Sequence, residues 1–214
     1  MGMDKLSAVL AGMPVLARTL LAFENSAVID EIVLVTSAEH LQSYSKICAD
    51  YGISKCKKAV IGGDERMKSS LIGTCETDSR AKIICIHDGA RPLVTEDIIS
   101  AAVNGAIRFT AAAPAVPVND TIKRAEDKFV AETPDRSALF AVQTPQCFDA
   151  DLIKAALTKA VSDGTPCTDD CSAAEAMGVR VRLTQGSREN IKLTTPLDFL
   201  TADAILKLRE AKEI

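Results

Sequence analysis

Short apolar runs rich in β-branched residues recur along this chain, and helix-length segments separate them. Ile32-Val33-Leu34-Val35, Ala59-Val60-Ile61, Ile83-Ile84-Cys85-Ile86 and Ala111 to Val116 each read as a strand buried on both faces. Between them the period changes. Pro14 opens a helix in which Val15, Leu16, Thr19, Leu20 and Phe23 recur at three and four. A polar helix follows from about Ala38 to Tyr51, and another leads to about Cys75. Thr95 can cap a further helix, with Glu96 and Asp97 in a first turn that favours carboxylates. Strands alternating with helices predict an α/β fold, a mainly parallel, Rossmann-like sheet with helices on both faces. Ligands of such sheets bind outside the carboxyl ends of the strands. Two polar clusters, at 62–66 and 87–92, fall at such ends.

The alternation breaks after Pro117. Thr121-Ile122-Lys123-Arg124 and Lys128-Phe129-Val130 read as two strands around an acidic turn, Glu126-Asp127. A lone hairpin is marginal in water, so packing on another subunit is the economical expectation. Helices return at about 150–162 and 169–177, with a strand at Val179 to Leu183 and a last helix from Thr195-Pro196. The organisation expected is one domain over 1–214, with a hairpin arm over 117–142.

Composition narrows the class of protein. The 214 residues carry 25 Lys and Arg against 29 Asp and Glu, a net charge of -4, which speaks against a nucleic-acid surface. The hydrophobic fraction of 47% excludes a disordered chain. No apolar run approaches the roughly 20 residues that span a bilayer, and the charged start Met3-Asp4-Lys5 is unlike a secretory signal. The seven cysteines, an odd number without a Cys-x-x-Cys pair, read as small buried hydrophobes of a reducing, cytoplasmic setting. With only His40 and His87 beside them, a structural zinc site has no natural ligand set.

The two clusters carry chemistry. Asp88 ends a strand and precedes Gly89 and Ala90, which suits a magnesium held by one carboxylate plus substrate phosphates. It equally suits a plain Asp-Gly turn. Arg91 adds a guanidinium suited to phosphate. Gly62-Gly63-Asp64-Glu65-Arg66, followed by Ser69, turns into a helix whose exposed amides can meet a base or phosphate. Taken alone it is a strand-to-helix turn capped by Asp64. Neither a dinucleotide Gly-x-Gly-x-x-Gly nor a Gly-x-x-x-x-Gly-Lys-Ser/Thr loop is present. Lys192 lies in a short extended stretch before the Thr195-Pro196 helix start.

Seven segments occur together and in order. They are Gly62 to Arg66, His87-Asp88-Gly89-Ala90-Arg91-Pro92, Asp120-Thr121-Ile122-Lys123, Pro134-Asp135-Arg136, Gln143-Thr144-Pro145-Gln146, Thr168-Asp169-Asp170 and Glu189-Asn190-Ile191-Lys192-Leu193-Thr194. On these the chain resembles the 2-C-methyl-D-erythritol 4-phosphate cytidylyltransferases of non-mevalonate isoprenoid biosynthesis. The resemblance implies a nucleotide-diphospho-sugar transferase fold, a homodimer with exchanged arms, CTP and a polyol phosphate as substrates, and Mg²⁺ as cofactor. It places Lys5, Lys192 and Arg136 in catalysis. Gly63, Asp64, Ser69, Gly89 and Ala90 fall to the cytidine nucleotide. Asp88, Arg91, Thr121, Arg136 and Lys192 fall to the sugar phosphate, with Asp88 also the metal ligand. In the family the arm carries Thr121 and Arg136 to the neighbouring subunit's pocket.

An ionised phosphate attacking a phosphorus needs no general base, so cations and positioning supply the rate. His87 is accordingly expected to be structural. One departure stands out: the family's first strand and glycine-rich triphosphate loop are missing ahead of Met1-Gly2. Two expectations arise, an upstream segment completing the enzyme or a non-catalytic, damaged paralogue. A ribitol- or other polyol-phosphate cytidylyltransferase is the rival within the same chemistry.

Overall fold

Helix and strand positions follow the apolar patterning closely. The computed structural model describes residues 4–212. A two-residue hairpin, β1 (Val9–Leu10) and β2 (Met13–Pro14), leads into α1 (Val15–Glu24). Ala11 and Gly12 turn it, both at positive φ. Val15, Leu16, Thr19, Leu20 and Phe23 of α1 are all buried, as their spacing requires. Then come β3 (Ile32–Thr36), α2 (Leu41–Asp50), β4 (Cys56–Ile61), α3 (Arg66–Cys75), β5 (Ile83–Ile86), α4 (Glu96–Phe109) and β6 (Ala111–Pro117). The arm supplies β7 (Arg124–Glu126), β8 (Phe129–Glu132), a 3-10 turn over Arg136–Ala138 and β9 (Phe140–Val142). The chain closes with β10 (Gln146–Asp149), α5 (Ala150–Asp163), α6 (Asp170–Ala176), β11 (Arg182–Gln185) and α7 (Pro196–Lys212). No described helix is long and apolar enough to cross a membrane.

The backbone ladders form two blocks. In one, β3 and β4 pair in parallel, with Thr36 opposite Ile61. In the other the order is β11-β6-β10-β5, with β9 added beside β6. Here β11 runs parallel to β6, while β10 runs antiparallel to both its neighbours. So β5, β6 and β11 share one direction, and β9 and β10 run against it. Among the described residues no ladder joins β3 to β5. The blocks meet instead through helices. Met67 and Leu71 of α3 pack on the core of Ile84, Phe148, Ile153 and Leu157, while Val35 of β3 lies against Gly73 on the same helix. Phe23 of α1 packs with Ile98, Ile99 and Ala102, and Leu16 and Leu20 of α1 with Leu34 and Tyr44.

Three expectations need adjustment. The strand read at Val179 to Leu183 lies at Arg182–Gln185, in register with Ala112 to Ala115. Val179 and Val181 are apolar because they pack against the core under α5 and α6. The arm's turn falls at Asp127-Lys128, both at positive φ, as a two-residue hairpin turn demands, so β7 begins only at Arg124. Thr121 to Lys123 have no strand partner. The helix expected from Ala38 starts at Leu41, one residue after His40. The arm leaves Phe129 79% and Val130 62% exposed.

Candidate active site

The loop after β5 is fixed before any ligand arrives. The Asp88 N–H donates to the Thr144 hydroxyl oxygen at 3.1 Å, and that hydroxyl lies 2.9 Å from His87 Nδ1. The Arg91 carbonyl, 3.3 Å from Nε2, can only accept, so in the neutral ring Nε2 carries the hydrogen and Nδ1 accepts from the Thr144 hydroxyl. Burial lowers the His87 pKa to about 4, so the ring is neutral at ordinary pH. His87 is a strut, as the sequence suggested.

A second segment docks on this loop. Leu193 N–H donates to the Ala90 carbonyl at 2.8 Å, and Arg91 Nη1 donates to the Asn190 carbonyl at 2.7 Å. Asn190, fully buried, donates through Nδ2 to the Thr144 carbonyl at 3.0 Å. Two strand ends and the 190–193 segment are thereby locked together. The result brings Lys192 Nζ to 3.2 Å from Asp88 Oδ2, and Arg91 Nε to 3.2 Å from the same oxygen. Burial alone would raise the Asp88 pKa; Lys192 and Arg91 outweigh it and hold the carboxyl below its ordinary value. Asp88 is therefore ionised, with cations on two sides.

Gly89 sits beneath the start of the chain. Thr19 Oγ1 donates to its carbonyl at 2.7 Å, and a Cβ on Gly89 would stand 3.5 Å from Leu6. Lys5 is exposed on the turn just before Leu6. That turn is bound from within: Asp4 Oδ1 accepts from Leu6 N–H at 3.0 Å and from the Tyr44 hydroxyl at 2.7 Å.

The other cluster opens α3. A Cβ on Gly62 would lie 2.6 Å from Ser69 Oγ, and one on Gly63 would lie 2.5 Å from Lys68 Cβ. Only glycine lets the backbone fold so tightly over the first turn. Asp64 does not cap the helix. Glu65 stands at the N-cap position without a side-chain cap bond, and exposed Asp64 pairs with Lys68 at 2.8 Å. The first-turn amides of α3 keep their capacity for an outside acceptor. Arg66 turns inward to meet fully buried Asp170 at 2.5 Å. Its guanidinium also feels Asp88 and Asp169, which ties this turn electrostatically to the Asp88 loop.

Asp88, Arg91, Gly89, Ala90 and Lys192 thus share one rim. Gly63, Asp64 and Ser69 occupy the α3 turn linked to it through Arg66, and Lys5 enters beside Gly89. Thr121 and Arg136 stand apart on the arm, both exposed; Arg136 Nη1 donates to the Asn119 carbonyl at 2.7 Å. Among the described residues no hydrogen bond or ion pair joins either to Asp88, Arg91 or Lys192. Sequence reasoning missed Thr144, Asn190 and the Arg66–Asp170 pair as framework residues. Their motifs were visible, but burial of a polar side chain leaves no periodic trace.

Asp88 suits a magnesium ion held chiefly by substrate oxygens. Both cations meet Oδ2, and Oδ1 takes part in neither contact. No group of three or more His, Cys, Asp or Glu side chains among the described residues forms a cage of its own.

Comparison with known proteins identifies relatives over most of the chain. The family model described as 2-C-methyl-D-erythritol 4-phosphate cytidylyltransferase matches residues 1–208. A protein of that name from Caldanaerobacter subterraneus subsp. tengcongensis is 43% identical over 207 residues, 96% of this chain and 91% of its own. Another, from Halalkalibacterium halodurans, is 45% identical over 203 residues, 95% and 89% of the two chains. The crystal structure of 4-diphosphocytidyl-2C-methyl-D-erythritol synthase from Anaerococcus prevotii superposes with a TM-score of 0.87 at 30% identity, covering 94% of this chain and 93% of that one.

Proposed function

The chain belongs to the 2-C-methyl-D-erythritol 4-phosphate cytidylyltransferase family, and we propose how its own residues perform that transfer. CTP and 2-C-methyl-D-erythritol 4-phosphate are the substrates, and 4-diphosphocytidyl-2-C-methyl-D-erythritol and pyrophosphate the products. The observation that carries the reading is the ionised Asp88 flanked by Lys192 and Arg91 at one rim of the sheet, beside the glycine turn of α3.

The Gly63–Ser69 turn and the Gly89–Ala90 backbone hold the cytidine nucleotide, with the α3 amides facing its negative groups. Lys5 meets the triphosphate from the turn beside Gly89. Lys192 and Arg91, both already held beside Asp88, draw the acceptor phosphate to the rim. An acceptor phosphate oxygen attacks the α-phosphorus, the bond to the bridging oxygen breaks, and pyrophosphate leaves with the electron pair. The acceptor phosphate is already ionised, so no base need take a proton. Neutral His87 is consistent with that. As negative charge grows on the equatorial oxygens, Lys192 and Lys5 stabilise it without rearranging, which is where preorganised cations gain most. Asp88, with substrate phosphate oxygens, would hold Mg²⁺, which would screen the triphosphate charge.

Thr121 and Arg136 complete the acceptor site of a second copy in a homodimer, which also covers Phe129 and Val130. Their distance in bonding terms from their own rim supports this. The seven cysteines, all free, suit a reducing compartment and a cytoplasmic location.

The reading is tested by pyrophosphate release from CTP with two acceptors, 2-C-methyl-D-erythritol 4-phosphate and ribitol 5-phosphate. Release with the first and little with the second is expected. Preference for ribitol phosphate would refute the acceptor assignment, and release with neither would refute catalysis by this chain.

A further inference from the structure

Transfer of the cytidyl group makes no use of the cysteines, yet two of them touch where a reagent can reach. Cys48, in the last turn of α2, and Cys56, the first residue of β4, hold their sulfurs 3.5 Å apart, and both side chains are half-buried. The chain between them doubles back: Ile53 N–H donates to the Cys48 carbonyl at 2.9 Å, and Cys56 N–H to the Ile53 carbonyl at 3.4 Å. Both thiols lie at the margin of the cluster of Leu16, Leu20, Leu34, Tyr44 and Ile53, one side packed and one side open.

A second pair makes the contrast. Cys85 and Cys147 face each other directly across the β5–β10 ladder, with sulfurs 3.1 Å apart. Cys147 is fully buried, and burial pushes its thiol well above the ordinary range. A thiol that neither ionises nor meets solvent does not exchange. At Cys48 the direction is opposite, because the hydrogen bond between its sulfur and that of Cys56 outweighs burial and lowers its pKa.

We propose that Cys48 and Cys56 form a thiol–disulfide exchange site for small-molecule disulfides, which closes to an intramolecular disulfide. The Cys48 thiolate attacks one sulfur of the disulfide, whose S–S bond breaks and releases one small thiolate. Cys56 then loses its proton and attacks the Cys48 sulfur of the mixed disulfide, releasing the second thiolate. Two protein thiols are oxidised, one small disulfide is reduced to two thiols, and both cysteine protons end in solution or on those thiols. Closing the bond brings the sulfurs from the 3.5 Å contact already made to the bonded distance of about 2.05 Å.

The full chain is incubated with oxidised glutathione, alkylated, digested and analysed by mass spectrometry. The result expected is loss of alkylation at Cys48 and Cys56 together, with their peptides linked, while Cys85 and Cys147 stay unlinked. In Cys56→Ser the exchange stops halfway, so Cys48 retains a stable glutathione adduct; circular dichroism confirms that this variant is folded. The proposal is overturned if exposed Cys75 becomes modified while Cys48 and Cys56 remain alkylatable, or if the two carry separate adducts and never link.

Discussion

The rim after β5 and the arm over 117–142 carry site residues of the same chemical types, yet they are built in opposite ways. At the rim almost every polar group has an assigned partner. Thr144, His87, Asn190 and Arg91 lock three backbone segments, and Asp88 and Lys192 have little left to rearrange. On the arm Thr121 and Arg136 are exposed, and the apolar side chains of Phe129 and Val130 face outward. The rim is preorganised by its own chain. The arm pairs its charges with one another and leaves Phe129, Val130 and Thr121 exposed. A site that joined the two, as the proposed dimer would, combines a rigid charge cradle with a component supplied by assembly.

The contrast is most severely tested by Lys192→Ala. If the rim supplies the preorganised cation, turnover should fall about 100- to 1,000-fold, as when one such donor is lost elsewhere. Pyrophosphate release at saturating CTP measures it, and a near-normal rate would dissolve the distinction. Next in size is the cost of keeping His87 neutral. Its folded pKa of about 4 lies below the ordinary 6.5, so the unfolded chain takes up a proton first as the pH falls. Stability is whole above pH 6.5 and declines by roughly 3 kcal/mol on the way to pH 4. Urea titrations should show a shallower fall between pH 6.5 and 4 in His87→Gln than in the parent.

The arm is probed by Arg136→Ala, which should raise the acceptor KM about 10- to 100-fold, the loss of a hydrogen bond to a charged group. Mixing it with Lys192→Ala should give, at low acceptor, more activity than either variant alone, because one mixed site regains both residues. No recovery would mean that each chain uses its own arm. Smallest is Asp88→Asn, expected to raise the Mg²⁺ concentration for half-activity about tenfold, again one charged contact. An unchanged metal titration would remove Asp88 from the metal's ligands.

Much of this was legible from the residues. The apolar runs at 32–35, 83–86 and 111–116 form the strands read from them, although only β6 is buried for most of its length while β3 and β5 are mostly half-buried. The polar clusters follow the ends of β4 and β5. What escaped was decided by packing. Gln146-Cys147-Phe148-Asp149 has no β-branched residue, yet it forms β10, fully enclosed between β5 and β6. Val179 and Val181 imitate a strand while serving a core. Asp64 looks like a cap, but Lys68 claims it and Arg66 turns to Asp170, 104 positions away in sequence. The seven ordered motifs identified the family, but they could not reveal that Thr144 is the residue through which Asp88 and His87 speak to one another.

The tether from Arg66 to fully buried Asp170 has a mechanical meaning. It pins the first residue of α3, the helix that the nucleotide turn opens, to the first residue of α6, and so couples two stretches 104 positions apart in sequence. Letting go would strand a carboxylate away from water, so the two helix starts move together rather than separately.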